Sequence, residues 1–171
     1  TDWRDKDPDN LIVIPDISTD ASFEKVFNTS LISGRNFNAE LASDTASFII
    51  NEEMAHVMGF SPEDCIGEKL RFHQLNGTII GVVKNFNFKP LHYAIEPLVL
   101  NQWGGLRGGS GYYVIKTSTN SYPKTIEYLK SSYEKFNPGQ ELDYGFLEKD
   151  LDLLYTKENM MSKIFNLFSV L

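Results

Sequence analysis

The stretch from 46 to 59 constrains this chain most. The run Ala46-Ser47-Phe48-Ile49-Ile50 passes without a loop into Asn51-Glu52-Glu53-Met54-Ala55-His56-Val57-Met58, and Gly59 follows. The first part reads as a strand. Asn51 has the side chain of a helix N-cap, and Gly59 suits the left-handed residue that ends a helix. Met54, Val57 and Met58 then share one face. A strand abutting a helix puts both kinds of element in one domain. The expected fold class is α+β, with mixed or antiparallel sheets.

The neighbouring sequence extends this pattern. Leu11-Ile12-Val13-Ile14 reads as a short strand stopped by Pro15. Phe23, Val26 and Phe27 fall at helical spacing, with Asp20 as candidate cap. Ser33 to Phe37 reads as a turn. Ser61-Pro62-Glu63-Asp64 suggests one more helical turn. Leu70–Phe72 and Thr78–Val83 read as antiparallel strands, with Asn76-Gly77 as the hairpin signal between them. Phe86 and Phe88 continue an alternation, and Leu98-Val99-Leu100 is a further apolar run.

A glycine-rich segment at 104–111 divides the chain. The expected parts are a front lobe at 1–103, a connector at 104–111 and a β-α-β-α part at 112–160. In the last of these, Tyr112 to Lys116 and Leu142 to Phe146 read as strands. Tyr122 to Phe136 reads as an amphipathic helix with Ile126, Tyr128, Leu129, Tyr133 and Phe136 as contacts, ended by Asn137-Pro138-Gly139. A helix of about six turns is expected from Asp150 to Leu171. Its last part, 161–171, is apolar and reads as the start of a membrane helix. Thr1 is not a Met and no signal peptide follows it, so we expect a piece of a longer protein.

Charge and motif content narrow the function. The 171 residues carry a net charge of −7 without a run of Lys or Arg, which argues against nucleic-acid binding. Cys65 is the single cysteine, so it forms no internal disulfide. Its neighbours Glu63 and Asp64 raise a thiol's pKa and oppose its use as a nucleophile. His56, His73 and His92 lie in separate elements without metal spacing. The glycine segment lacks the Lys of a phosphate loop. Asp5, Asp7 and Asp9 lack the Gly and Glu that a calcium loop needs. No catalytic residue, cofactor or metal is expected, and the chain reads as non-enzymatic.

Several ordered pieces carry a family resemblance: Gly34-Arg35-Asn36-Phe37, Ile50-Asn51-Glu52, Met58-Gly59, Ile66-Gly67 and Gly81-Val82-Val83-Lys84-Asn85-Phe86-Asn87-Phe88. Their order and spacing over about residues 11–171 resemble the periplasmic core domain of MacB/FtsX-type ABC-transporter permeases, in a form similar to those of Bacteroidetes. The signature residues are Gly34, Arg35, Phe37, Asn51, Glu52, Gly59, Gly67, Gly81 and Val82. Their expected roles are structural. Gly34 supplies a turn, Arg35 pins it to a carboxylate or carbonyls, Asn51 caps a helix, and Gly67 and Gly81 allow a turn and close backbone approach.

The resemblance implies a mid-chain inserted lobe and a porter-like part at 112–160. It also implies a place on the periplasmic face of the bacterial inner membrane, anchored by membrane helices. The implied partners are a cytoplasmic ATPase and a second copy in the full-length protein, and the implied role is relay of conformational change. The alternatives are a periplasmic binding module for a peptide, lipoprotein or envelope partner, with Trp103, Tyr112 and Tyr113 as an aromatic patch, and a small hydrolase.

Overall fold

The computed structural model describes residues 1–7, 9, 11–90, 92–102, 111–118 and 120–152. The chain divides into two compact units, Thr1–Ile115 and Lys116–Leu171.

The first unit is built on a seven-stranded mixed sheet: β1 (Asp2–Trp3), β2 (Asp16–Ser18), β3 (Leu31–Gly34), β4 (Ser47–Asn51), β5 (Lys69–Phe72), β6 (Leu75–Val83) and β7 (Val99–Asn101). The order is β1-β5-β6-β4-β7-β2, and β3 also pairs with β6. With these strands go two short helices, α1 (Phe23–Phe27) and α2 (Glu52–Met58), and a 3-10 turn at Ala42–Ala46. The α+β class is therefore the class found.

β4 is central, parallel to β6 on one side and antiparallel to β7 on the other. All five of its residues are buried, as expected of a strand covered on both faces. Phe48 and Ile50 face one core with α2's Met54, Ala55 and Met58, Val99 of β7 and Cys65. Ile49 faces the other core with Phe23 of α1, Phe37, Val83, Leu98 and Leu100. The β4–β6 register slips between Phe48 and Ile49. That slip is why Ile79 and Val82, three apart, lie in the same core.

α2 begins and ends as its sequence specifies. Asn51 Oδ1 accepts from the Met54 amide, and Gly59 closes the helix at φ 79°. Ser61 Oγ accepts from the Asp64 amide, and the Cys65 amide bonds the Ser61 carbonyl, making the short turn beyond it. In α1 the cap position is Ser22; Asp20 accepts instead from the Ser22 amide.

Three strand readings differ. Residues 11–14 carry no ladder. Ile12 and Ile14 turn into the α2-side core while Leu11 and Val13 are about 90% exposed (90% and 92%), so the alternation reflects one-sided burial without a partner. Pairing with β7 starts only at the Pro15 carbonyl, which accepts from the Val99 amide. Tyr112 to Lys116 and Leu142 to Phe146 also carry no ladder among the described residues. A strand needs a neighbour to take its amides.

The hairpin differs too. Its turn is His73-Gln74, both at positive φ (45° and 70°), with Phe72 opposite Leu75. Asn76 and Gly77 lie within β6, opposite Arg71 and Leu70. Gly77 is there for packing, since a Cβ would come 2.3 Å from a Phe48 ring atom.

The second unit contains α3 (Tyr122–Phe136), whose bounds are those read from sequence, and helical residues at 147–152. Ile126, Leu129 and Tyr133 are half-buried, whereas Tyr128 (71%) and Phe136 (79%) are exposed and are not packing contacts. The expected helix beyond 152, the membrane-helix start at 161–171 and most of the glycine connector lie outside the described residues. Among the described residues no helix is long and apolar enough to cross a membrane.

A two-residue turn with both positions left-handed favours Asn-Gly. Replacing His73-Gln74 by Asn-Gly should raise stability by roughly 1 kcal/mol in urea titration, since backbone strain at two non-glycine residues is relieved.

Candidate functional site

The signature residues gather around two places in the first unit. The first is the outer edge of β6. Its opposite edge is taken by β4, but the outer edge is shared. β5 covers it from Leu75 to Thr78, and β3 covers it from Gly81 to Val83. Between them the Ile79 amide donates to the Glu68 carbonyl (2.9 Å), and the Ile79 carbonyl accepts from the Gly67 amide (2.9 Å). The Ile80 carbonyl accepts from the Arg35 amide (2.9 Å). Thus one edge is handed from one backbone to another without a gap.

Glycine makes the handover sterically possible. A Cβ on Gly34 would sit 2.2 Å from the Ile80 carbonyl oxygen and 2.7 Å from Ile66 Cδ1. A Cβ on Gly81 would sit 2.5 Å from the Arg35 carbonyl oxygen. Gly34 and Gly67 also stand at φ 77° and 91°, where side chains are disfavoured.

Arg35 leaves this junction with its side chain forked onto Asp44. Nη1 donates to Oδ2 and Nη2 to Oδ1, each at 2.7 Å. Asp44 is fully buried and also accepts from the Asn38 amide at 2.8 Å. The Arg35 hydrogen bonds, with the Asn38 amide, hold the Asp44 carboxyl below its usual range despite burial. Asp44 in turn raises the guanidinium's pKa. Between them, Asn36 donates to the Ala21 carbonyl and to Glu24 Oε2, fastening the junction to α1, and Phe37 enters the core beside Phe23.

The second place is the end of β4. Asn51 is fully buried. Its Oδ1 accepts from the Met54 and Leu98 amides (3.0 and 2.9 Å), and its Nδ2 donates to the Glu96 carbonyl (2.8 Å). Glu52 Oε2 accepts from the Asn85 amide (2.7 Å), while Asn85 Oδ1 accepts from the Glu53 amide (3.0 Å). Val82 is fully buried among these elements, and Gly59 ends α2.

These positions hold structure. Among the described residues no three His, Cys, Asp or Glu side chains are placed to hold a metal ion. Two clefts, one beside Phe23 and Asn36 and one beside Phe88 and Tyr93, each leave about 10 Å3, far below the roughly 300 Å3 of a ligand pocket. Burial, reinforced by Asp64, Glu68 and Glu63, pushes the Cys65 thiol up to about 11. Tyr112 and Tyr113 are almost wholly exposed (99% and 98%), and Trp103 lies outside the described residues. Sequence reading missed Asp44 and Asn85 as partners. Asp44 is one acidic residue among many. Asn85 stands in the quoted run after Gly81, but nothing local marks it as facing Glu52.

No family model matches the chain, and no curated protein matches it. Among solved structures it is similar to a domain of a putative permease protein from Porphyromonas gingivalis, with 18% identity over 84% of this chain and 75% of that one, at a TM-score of 0.50. It is also similar to the periplasmic region of MacB from Actinobacillus actinomycetemcomitans, with 15% identity over 66% of this chain and a TM-score of 0.46. The chain spans about half (54%) of that MacB region. The fold is that of the permease domain, as the sequence resemblance implied.

Two outcomes follow from the geometry. Gly81→Ala should lower stability by about 2 kcal/mol or more, because the added methyl meets backbone on a filled edge; denaturant titration reads it. Arg35→Met should cost about 2–4 kcal/mol at pH 7, since the buried Asp44 loses its charged partner and both bonds of the fork. Asp44's folded pKa is lowered, so its contribution is present above the unfolded value of about 4 and is lost as pH falls through the folded value. The gap between wild type and variant in acid should therefore narrow below about pH 4.

Proposed function

We propose that this chain is an extracytoplasmic domain of an ABC-transporter permease that relays conformational change between the membrane and the periplasm. The observation that carries this reading is the fold shared with the putative permease domain over 84% of the chain. The ordered sequence signature supports it independently. In this reading the full-length protein is anchored in the inner membrane, pairs with a second copy and works with a cytoplasmic ATPase.

The part at 112–160 would be the porter-like portion, and the helical residues at 147–152 would begin the lever toward the bilayer. Inserting a flexible Gly/Ser segment near Glu158 in the full-length protein should then leave ATP hydrolysis running while transport falls at least tenfold. Unimpaired transport in that variant would refute the relay. A second reading, a binding module for an envelope partner, is favoured by one observation: the nearly complete exposure of Tyr112 and Tyr113. Under it, a Tyr112→Ser/Tyr113→Ser protein should lose a partner that the native protein recovers from envelope extract.

A further inference from the structure

The two faces of the sheet in the first unit are covered by different material. α2 lies on one, with Met54, Ala55 and Met58 in its core. The other carries α1 and residues 84–98, the connection from β6 to β7. That connection is long for a compact domain, and its described residues carry no ladder. It lays Phe86 and Phe88 onto the second core, with Phe86 5.8 Å from Phe23 and 6.0 Å from Phe88. Lys89 and Glu96 close it on itself at 2.6 Å.

Both roots of the connection are fastened to the first turn of the helix on the opposite face. At one root the Asn85 amide donates to Glu52, and Asn85 Oδ1 takes the Glu53 amide. At the other, Asn51 holds the Leu98 amide on its Oδ1, the Glu96 carbonyl on its Nδ2 and the Leu98 carbonyl on its own amide. The same Asn51 Oδ1 holds the Met54 amide of α2. Because Asn51 is fully buried, water does not readily replace any of these bonds. α2 cannot rock without pulling on Leu98 or releasing Met54.

We propose that α2 and the connection 84–98 form one conformational unit, tied round the end of the sheet by Asn51, Glu52 and Asn85, so that a displacement on one face is transmitted to the other. This does not depend on the transport reading.

Four amides bonded to side-chain acceptors report on it: Glu53, Met54, Asn85 and Leu98. Hydrogen exchange on the 171-residue chain should give them protection factors within about threefold of one another. Glu52→Ala removes the acceptor of Asn85 alone. Met54 and Leu98 should nonetheless lose protection by on the order of tenfold more than the amides of β6, which track global stability. The proposal is overturned if only Asn85 loses protection, or if Met54 and Leu98 change no more than β6. Should Glu52→Ala fail to fold, Asn85→Ala makes the same comparison with Glu53 as the amide directly released.

Discussion

β6 has nine residues with hydrogen-bonding groups on both edges, and a buried amide or carbonyl left unpaired costs about as much as a lost hydrogen bond. β4 satisfies the inner edge. No single strand satisfies the outer one. β5 and β3 come from different parts of the chain and meet head-on over Ile79 and Ile80. Much of the first unit follows from making that meeting possible. Gly34 and Gly81 remove the atoms that would collide, and Gly67 turns the backbone into line.

The charged and amide groups near this sheet have a common character. Each joins elements apart in the chain, and Asp44 and Asn51 do so while fully buried. Arg35 carries the β3 end to Asp44, Asn36 carries it to α1, and Asn51 holds α2 and the entry to β7 at once. Removing one partner leaves a buried group unsatisfied, which is costlier than the bond itself. Such groups fix geometry more than they supply net stability.

What could be read ahead depended on range. The ends of α2 were legible because its caps act within four residues: Asn51 on Met54, and Gly59 on Ala55 and His56. α3 was legible from equally local signals, the helical spacing of its apolar residues and its Asn137-Pro138-Gly139 end. The hairpin was misplaced because Asn76-Gly77 carries the stronger local signal, while packing of Phe48 against Gly77 and pairing of Phe72 with Leu75 decided the turn. Residues 11–14 looked like a strand since burial of Ile12 and Ile14 alone produces the same alternation.

By itself the sequence determined the α+β class, the strand-to-helix passage at 46–59, the extent of α3 and the positions of the signature glycines. Those are set by local dihedral preference, capping and periodicity. Only the tertiary structure decided which backbone each glycine faces, that Arg35 pairs with Asp44, and that Asn51 reaches Leu98 across 47 residues. It also decided that the run at 112–116 carries no ladder among the described residues. Pairing and buried hydrogen bonds join residues far apart in the chain, and a strand propensity names no partner.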